Sequence, residues 1–315
     1  MRPQLSDARV LVTGAAGFIG RHVCTALEQQ GARVGAIIRQ GLGEALAQLN
    51  TYTLDVRDGD AVRAVVRKFR PTHVVHLAAR KLGGTQLDNF LPSYQENLFG
   101  TFNLAAAVID DCEKCRFVYL SSAEEYGRAP APFDPHAELL PLTPYGLSKH
   151  AATQLLRALS RTHGLSVTIL RTTSVYGPGQ RGRMFVPSLL RSLVSGTEFP
   201  MTDGRQTRDF VYVDDIVDGI LRALSVPEAH GDVLHLSSGT PVPIRELALL
   251  VARLVGGQSE SLLKFGAVPY GVGEAMDYWA SNSETTAVLG WTPKVSIDEG
   301  LRRTLVHVRS SLQGD

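Results

Sequence analysis

Tyr145 and Lys149 stand four residues apart in Pro144-Tyr-Gly-Leu-Ser-Lys149. Four residues is about one helical turn, so a helix opening at Pro144 places both side chains on one face. An ammonium beside a phenol favours the phenolate, whose ordinary pKa is about 10. A tyrosine tuned in this way can exchange a proton with a substrate hydroxyl or carbonyl. An apolar run ends upstream in Leu120-Ser121-Ser122, which would carry a further hydroxyl to the same cleft. Glu124, two residues beyond Ser122, adds a carboxylate that can move a proton or simply stand as a charge at a helix start.

A second group of residues points to a dinucleotide. Thr13-Gly14-Ala-Ala-Gly17-Phe-Ile-Gly20 follows the first apolar run and opens a helical stretch. Glycines at that place allow a tight turn and close approach of backbone to a pyrophosphate, and the helix offers it free N–H groups and a positive dipole end. The next strand runs Val34-Gly-Ala-Ile-Ile38 and ends on Arg39 and Gln40, without the carboxylate that usually binds the adenosine ribose. Arg39 suits a 2′-phosphate, so NADP(H) is favoured and NAD(H) possible. Asp55, at the end of the third strand, is placed to bind the adenine amino group, and Asp58 to cap the following helix.

The elements that must hold these groups alternate. Strands are expected at 10–13, 33–38, 51–55, 73–77, 117–120 and 167–170, and helices at about 18–30, 91–110 and 145–162, with helical spacing also in Val62, Val65, Val66 and Phe69. Such alternation implies an α/β fold: a Rossmann-type doubly wound parallel sheet covered on both faces. The pattern loosens after Tyr176. We therefore expect a dinucleotide-binding domain at 1–172 and a smaller C-terminal substrate-binding lobe at 173–315, with about 209–238 returning to the first domain.

Composition narrows the alternatives. The 315 residues carry 32 basic and 31 acidic side chains, a net charge of +1, which gives no basic surface for nucleic acid. No apolar run approaches the ~20 residues that span a bilayer, and the polar start has no signal-peptide pattern, so no membrane partner and a cytoplasmic location are expected. Of three cysteines only Cys112 and Cys115 are close, and a lone C-x-x-C without a second pair does not make a zinc site. No metal is expected.

In these stretches the chain resembles the extended short-chain dehydrogenase/reductases that modify nucleotide sugars. The resemblance runs through Thr13 to Gly20, Val75 to Ala79, Asn97 to Thr101, Val118 to Gly127, Pro144 to Lys149, Leu170 to Gly179, Gln206 to Asp215 and Leu289 to Pro293. It implies a catalytic set of Ser122, Tyr145 and Lys149, joined by Glu124. It implies that Gly14, Gly17, Phe18, Ile19, Gly20, Arg39, Asp55, Val56, Leu77, Ala78, Ala79, Asn97, Tyr145 and Lys149 bind the cofactor. For the nucleoside-diphosphate sugar it implies Lys81, Ser122, Ala123, Glu124, Ser174, Arg181, Arg183 and Arg208. Ser174 departs from the asparagine often found in the family, and Gly271 from an arginine, so either Arg181 or Arg183 takes over the diphosphate or the substrate differs.

Sugar 4,6-dehydratases and uronate decarboxylases place a glutamate where Glu124 stands, but dehydratases of the glucose type have aspartate at Ala123, and some 4-ketoreductases share the Glu-Glu-Tyr-Gly stretch. A net reductase needs fresh reductant, usually NADPH, which Arg39 suits. The expected order is 4-keto-sugar reduction, then 4-epimerisation, then dehydration. The family also implies a homodimer, with Leu98, Phe102, Ala105 and Ala106 on a helical face at the interface.

Overall fold

A computed structural model describes residues 5–40, 49–182, 184–226, 229, 231–271 and 274–313. Its central sheet has seven strands in the order β10-β6-β5-β4-β1-β2-β3, and every pairing is parallel. The strands are β1 (Arg9–Thr13), β2 (Arg33–Ile38), β3 (Asn50–Thr53), β4 (His73–His76), β5 (Arg116–Ser122), β6 (Ser166–Thr172) and β10 (Val233–Leu236). Parallel strands buried on both faces need apolar side chains on both, and Val10, Leu11, Val12, Ala36, Val74, Val75, Phe117 and Val118 supply them. The strand order reverses between β1 and β4, the crevice where open α/β sheets bind ligands.

Helix α1 (Phe18–Gln29) and α7 (Val213–Ser225) cover one face. Helices α2 (Gly59–Phe69), α4 (Gly100–Asp111) and α5 (Pro144–His163) cover the other. Capping follows the sequence: Asp58 accepts a hydrogen bond from Ala61 N at 3.0 Å, and Thr143 accepts one from Gly146 N at 2.9 Å at the start of α5.

The single helix expected over 91–110 is interrupted. Helix α3 (Phe90–Tyr94) passes through a π-helical turn at Gln95–Phe99 before α4 begins. A π turn inserts a residue into the helical register. The face expected to pack outward therefore turns partly inward: Ala105 is buried in the core and Leu98 packs against it, while Phe102 stays 44% exposed.

The C-terminal part holds a small sheet, β11-β9-β7, from Pro241–Pro243, Thr207–Tyr212 and Ser174–Tyr176, and a two-stranded pair, β12 (Leu263–Lys264) with β8 (Phe199–Pro200). Helices α6 (Phe185–Val194), α8 (Ile244–Val255) and α10 (Ile297–Gln313) close a separate apolar cluster there. The chain returns through α7 and β10, which add to the main sheet beside β6. Buried Trp291 ties the following segment back by donating to Asp215 O at 2.9 Å, and the Asp215 carboxylate accepts from Lys294 N at 2.9 Å and Val295 N at 3.1 Å.

Candidate active site

The glycine loop leaves β1 at Thr13. Gly14 has φ +67°, a conformation that L side chains rarely adopt, and a Cβ there would lie 2.8 Å from Ala78 N. A Cβ on Gly20 would lie 2.2 Å from Gly14 O, so α1 can press against the loop only because that residue is glycine. Gly17 caps α1 without a side-chain hydrogen bond, and no acid occupies the first turn, so the helix start is open to an anion. Phe18 and Ile19 pack into the apolar cluster of the C-terminal part and join it to the loop.

A groove of about 140 Å³ runs from this loop across the ends of β1, β2 and β4. Gly14, Gly17, Arg39, Asp55, Val56, Leu77, Ala78 and Ala79 line it, all of them residues expected there from the sequence. Asp55 lies two residues past β3 and is gripped by the Arg57 guanidinium at 2.6 Å. That hydrogen bond holds its carboxyl below the ordinary range, against the effect of burial. Glu96, which the sequence reading did not single out, also lines the groove and stands 3.5 Å from Arg39. Only the π turn brings it there, and helical periodicity gives no sign of such a turn.

Asn97 does not open onto the groove as expected. Its side chain accepts from Arg80 N at 2.7 Å and donates to Arg80 O at 3.1 Å and to Ser148 Oγ at 2.8 Å. It fastens the segment after β4 to α5, one residue before Lys149. His76 likewise holds the β1 end, bridging Thr13 Oγ1 at 2.6 Å and Thr101 Oγ1 at 2.9 Å.

Ser122 ends β5 and accepts a hydrogen bond from Glu124 N at 3.1 Å. Tyr145 stands in the first turn of α5, near enough to Ser122 for the serine to influence its hydroxyl. Contrary to the expected shift toward phenolate, burial and the Glu124 charge push this hydroxyl above its ordinary pKa, with Ser122 acting the other way. Lys149 is buried; its Nζ donates to Leu120 O at 2.6 Å and lies 4.3 Å from the Tyr119 ring centre. Burial pushes its pKa down to about 7. Lys149 is thus held by β5, one turn from Tyr145, and its ammonium can lose a proton near neutral pH.

Glu124 pairs with Lys81 at 2.7 Å and accepts from Thr143 Oγ1 at 3.0 Å. Lys81 also lies 5.3 Å from the Tyr145 ring centre, so Lys81, Glu124 and Tyr145, all expected at the site, share one wall. Buried Ala123 backs it within a cluster that includes Tyr126 and Phe133. Tyr278 was missed by sequence reading: its ring packs edge-on to Phe133 and under the Arg208 guanidinium, and burial pushes its pKa up. It lies between Gly271 and Leu289 in a stretch that carries no motif of its own, so no spacing pointed to it.

Arg208 reaches the same wall but is engaged, donating to Ala275 O at 2.8 Å and pairing with Glu274, its guanidinium 5.8 Å from the Tyr278 ring centre. Ser174 begins β7, half-buried and paired in register with Phe210 of β9. Arg181 is exposed, and Arg183 lies outside the described residues.

Glu125, next to Glu124, faces the other way. Fully buried, it takes Arg171 at 2.9 Å and Thr153 Oγ1 at 2.9 Å, and also the Ser121 hydroxyl. Burial alone would raise its pKa, but His150, Arg171 and Ser121 together hold it below the ordinary value. Arg171 extends the chain to the Tyr126 hydroxyl at 2.8 Å, and Tyr126 to His235 at 2.7 Å. Burial raises the Cys112 and Cys115 thiols, which leaves little thiolate at neutral pH. Among the described residues no cluster of three His, Cys, Asp or Glu could hold a metal ion. No helix among them is long and apolar enough to cross a membrane.

The arrangement can bind a dinucleotide over the switch point and exchange a proton at a substrate oxygen beside Ser122 and Tyr145. The chain resembles known proteins. The profile of the NAD dependent epimerase/dehydratase family matches residues 10–236. The chain is 29% identical to the UDP-glucuronate 4-epimerase of Thermodesulfobacterium geofontis over 96% of its own length and 97% of that protein's. It is 30% identical to the UDP-glucose 4-epimerase of Mycolicibacterium smegmatis, covering 97% and 100% respectively. The solved structure of MoeE5 in complex with UDP-glucose and NAD superposes with a TM-score of 0.85 at 32% identity, covering 96% of this chain and 99% of that one. The chain is therefore an enzyme of the NAD dependent epimerase/dehydratase family, within the extended short-chain dehydrogenase/reductases.

Proposed function

We propose that this enzyme oxidises and reduces C4 of a nucleoside-diphosphate sugar, with Tyr145 as the proton carrier. The observation that carries the reading is the wall on which Lys81 pairs with Glu124 and lies over the Tyr145 ring, in a chain whose glycine-lined groove can take a dinucleotide. Gly14, Gly17, Gly20 and the open start of α1 would hold the pyrophosphate of a nicotinamide dinucleotide, and Val56, Leu77, Ala78 and Ala79 its adenosine and ribose walls. The dinucleotide supplies hydride exchange at the sugar carbon. Ser122 relays the proton between the sugar O4 and Tyr145. Lys149, one turn from Tyr145 on α5, can give up its proton near neutral pH and so take part in the proton's movement. Lys81, Ala123 and Glu124 face the sugar from one wall. Arg208, Ser174, Arg181 and Arg183 serve the diphosphate and nucleoside, which requires Arg208 to exchange Glu274 for substrate.

For the net reaction we infer 4-epimerisation. The two curated relatives named above are 4-epimerases, and the only observation that favoured a fresh NADPH per turnover, Arg39, is qualified by the acid beside it. Reduction of a 4-keto sugar with NADP(H) is the second reading. It is favoured by the exposure of Arg39, 58%, which leaves the guanidinium free to turn toward a 2′-phosphate. The test is incubation with UDP-glucose or UDP-glucuronate in heavy water, followed by NMR. Epimerisation yields the 4-epimer with no deuterium at C4 or C5. Deuterium at C5 would indicate dehydration chemistry. No epimer, but label passing from C4-deuterated NADPH to C4 of a 4-keto sugar, would establish net reduction instead.

We also propose a homodimer through α3, the π turn, α4 and α5. Leu91, Phe99 and Phe102 are large apolar side chains left exposed along that surface, which supports a symmetric helical interface.

A further inference from the structure

Glu96 is a carboxylate that the proposed reaction does not use. Its side chain is only 8% exposed, and the surface it keeps lies in the dinucleotide groove with Arg39 and Asp55. Its Oε1 stands 3.5 Å from Arg39 Nη1, and its charge also acts on Arg57. The end of β2, where an acid usually receives the adenosine ribose hydroxyls, carries Ile38 instead. The π turn delivers a carboxylate to the same end of the groove from the opposite wall.

We infer that Glu96 is a specificity-determining residue for the cofactor: it replaces the missing acid of β2 and selects against a 2′-phosphate. A buried carboxylate accepts hydrogen bonds from ribose hydroxyls readily, because few other donors reach it. A 2′-phosphate at that end would meet the like charge of Glu96, itself only 8% exposed. It would also have to draw Arg39 away from its partner. Arg39 alone invites NADP(H), and the Arg39–Glu96 pair makes the same groove accept NAD(H). This inference rests on the dinucleotide reading proposed above.

The experiment is titration of the full-length protein with NADH and with NADPH, followed by nicotinamide fluorescence, for wild type, Glu96→Gln and Glu96→Ala. Both variants remove the charge, so the proposal stands on whichever retains the wild-type circular dichroism. The expected result is a shift of the affinity ratio toward NADPH by about tenfold, equivalent to about 1.4 kcal/mol, produced mainly by tighter NADPH binding. A ratio within twofold of wild type would overturn the inference, and so would a loss of NADPH affinity, which would mean that Glu96 only orients Arg39. Wild-type protein that binds neither dinucleotide would overturn the cofactor reading itself, a result distinct from an unchanged ratio.

Discussion

Adjacent glutamates with opposite surroundings give a sharp stability test. Glu125 is 0% exposed and Arg171, its partner at 2.9 Å, is 1% exposed. Glu125→Gln leaves the Arg171 guanidinium in the interior with its charge uncompensated. Removing one partner of a buried ion pair costs about 3–5 kcal/mol. Unfolding entropy of about 2.1 cal/mol/K per residue, over 315 residues, gives about 0.66 kcal/mol/K. The substitution should therefore lower Tm by about 5–8 °C. Glu124 is 24% exposed and its partner Lys81 50%. An exposed pair is worth about 0.2–1 kcal/mol, so Glu124→Gln should move Tm by less than about 2 °C. Its effect belongs to turnover, where losing one charged hydrogen bond of about 1.5–3 kcal/mol slows the reaction by one to two orders of magnitude. Differential scanning fluorimetry, checked by urea unfolding, reads both variants. Equal Tm losses would refute the division of roles between the two residues.

Three further outcomes follow from the same structure. Arg39→Ala should weaken NADPH binding about tenfold while leaving NADH within twofold, read by fluorescence titration; an equal loss for both would place Arg39 outside 2′-phosphate recognition. Burial pushes the His76 pKa down to about 3 and that of His235 to about 4, so both stay neutral in the fold while the unfolded chain takes up protons below its ordinary histidine pKa. Their stabilisation is complete above about pH 6.5 and is lost as pH falls toward 4, at about 1.4 kcal/mol per unit each, or about 4 kcal/mol together by pH 5; a urea midpoint unchanged between pH 7 and pH 5 would refute this. Light scattering should give twice the chain mass at micromolar concentration, and Phe102→Glu should shift it to one; a wild-type monomer would remove the dimer.

Much of the fold could be read in the sequence because its signals are local. The β1–α1 glycines, the apolar strands and the Pro144 helix start each announce themselves within a few residues, and strand bounds at Arg33–Ile38 agree with the expectation. β5 and β6 run longer than expected because Ser121, Ser122 and Arg171 are polar yet paired within the sheet. The groove was legible for the same reason, since loops after successive parallel strands gather at one edge. What stayed hidden was non-local or register-dependent. The π turn turned Glu96 and Asn97 inward and buried Ala105, against a reading based on a 3.6-residue period. Arg39 was read without Glu96, 57 positions along the chain, and this shifted the inferred reaction from reduction to epimerisation. Tyr278 and the Glu125–Arg171–Tyr126–His235 chain join segments over 40 residues apart, which no spacing rule relates.

The central claim is that Tyr145 carries the proton during exchange at C4. The most direct measurement is turnover of UDP-glucose and UDP-glucuronate by Tyr145→Phe, alongside NADH and NADPH titration of the same variant. Acid–base groups contribute about 10²–10⁴-fold, and the phenyl ring keeps its contact with the Lys81 side chain. The account predicts a rate at least a hundredfold below wild type with dinucleotide affinities within about threefold. A variant that keeps more than a tenth of the wild-type rate would contradict it.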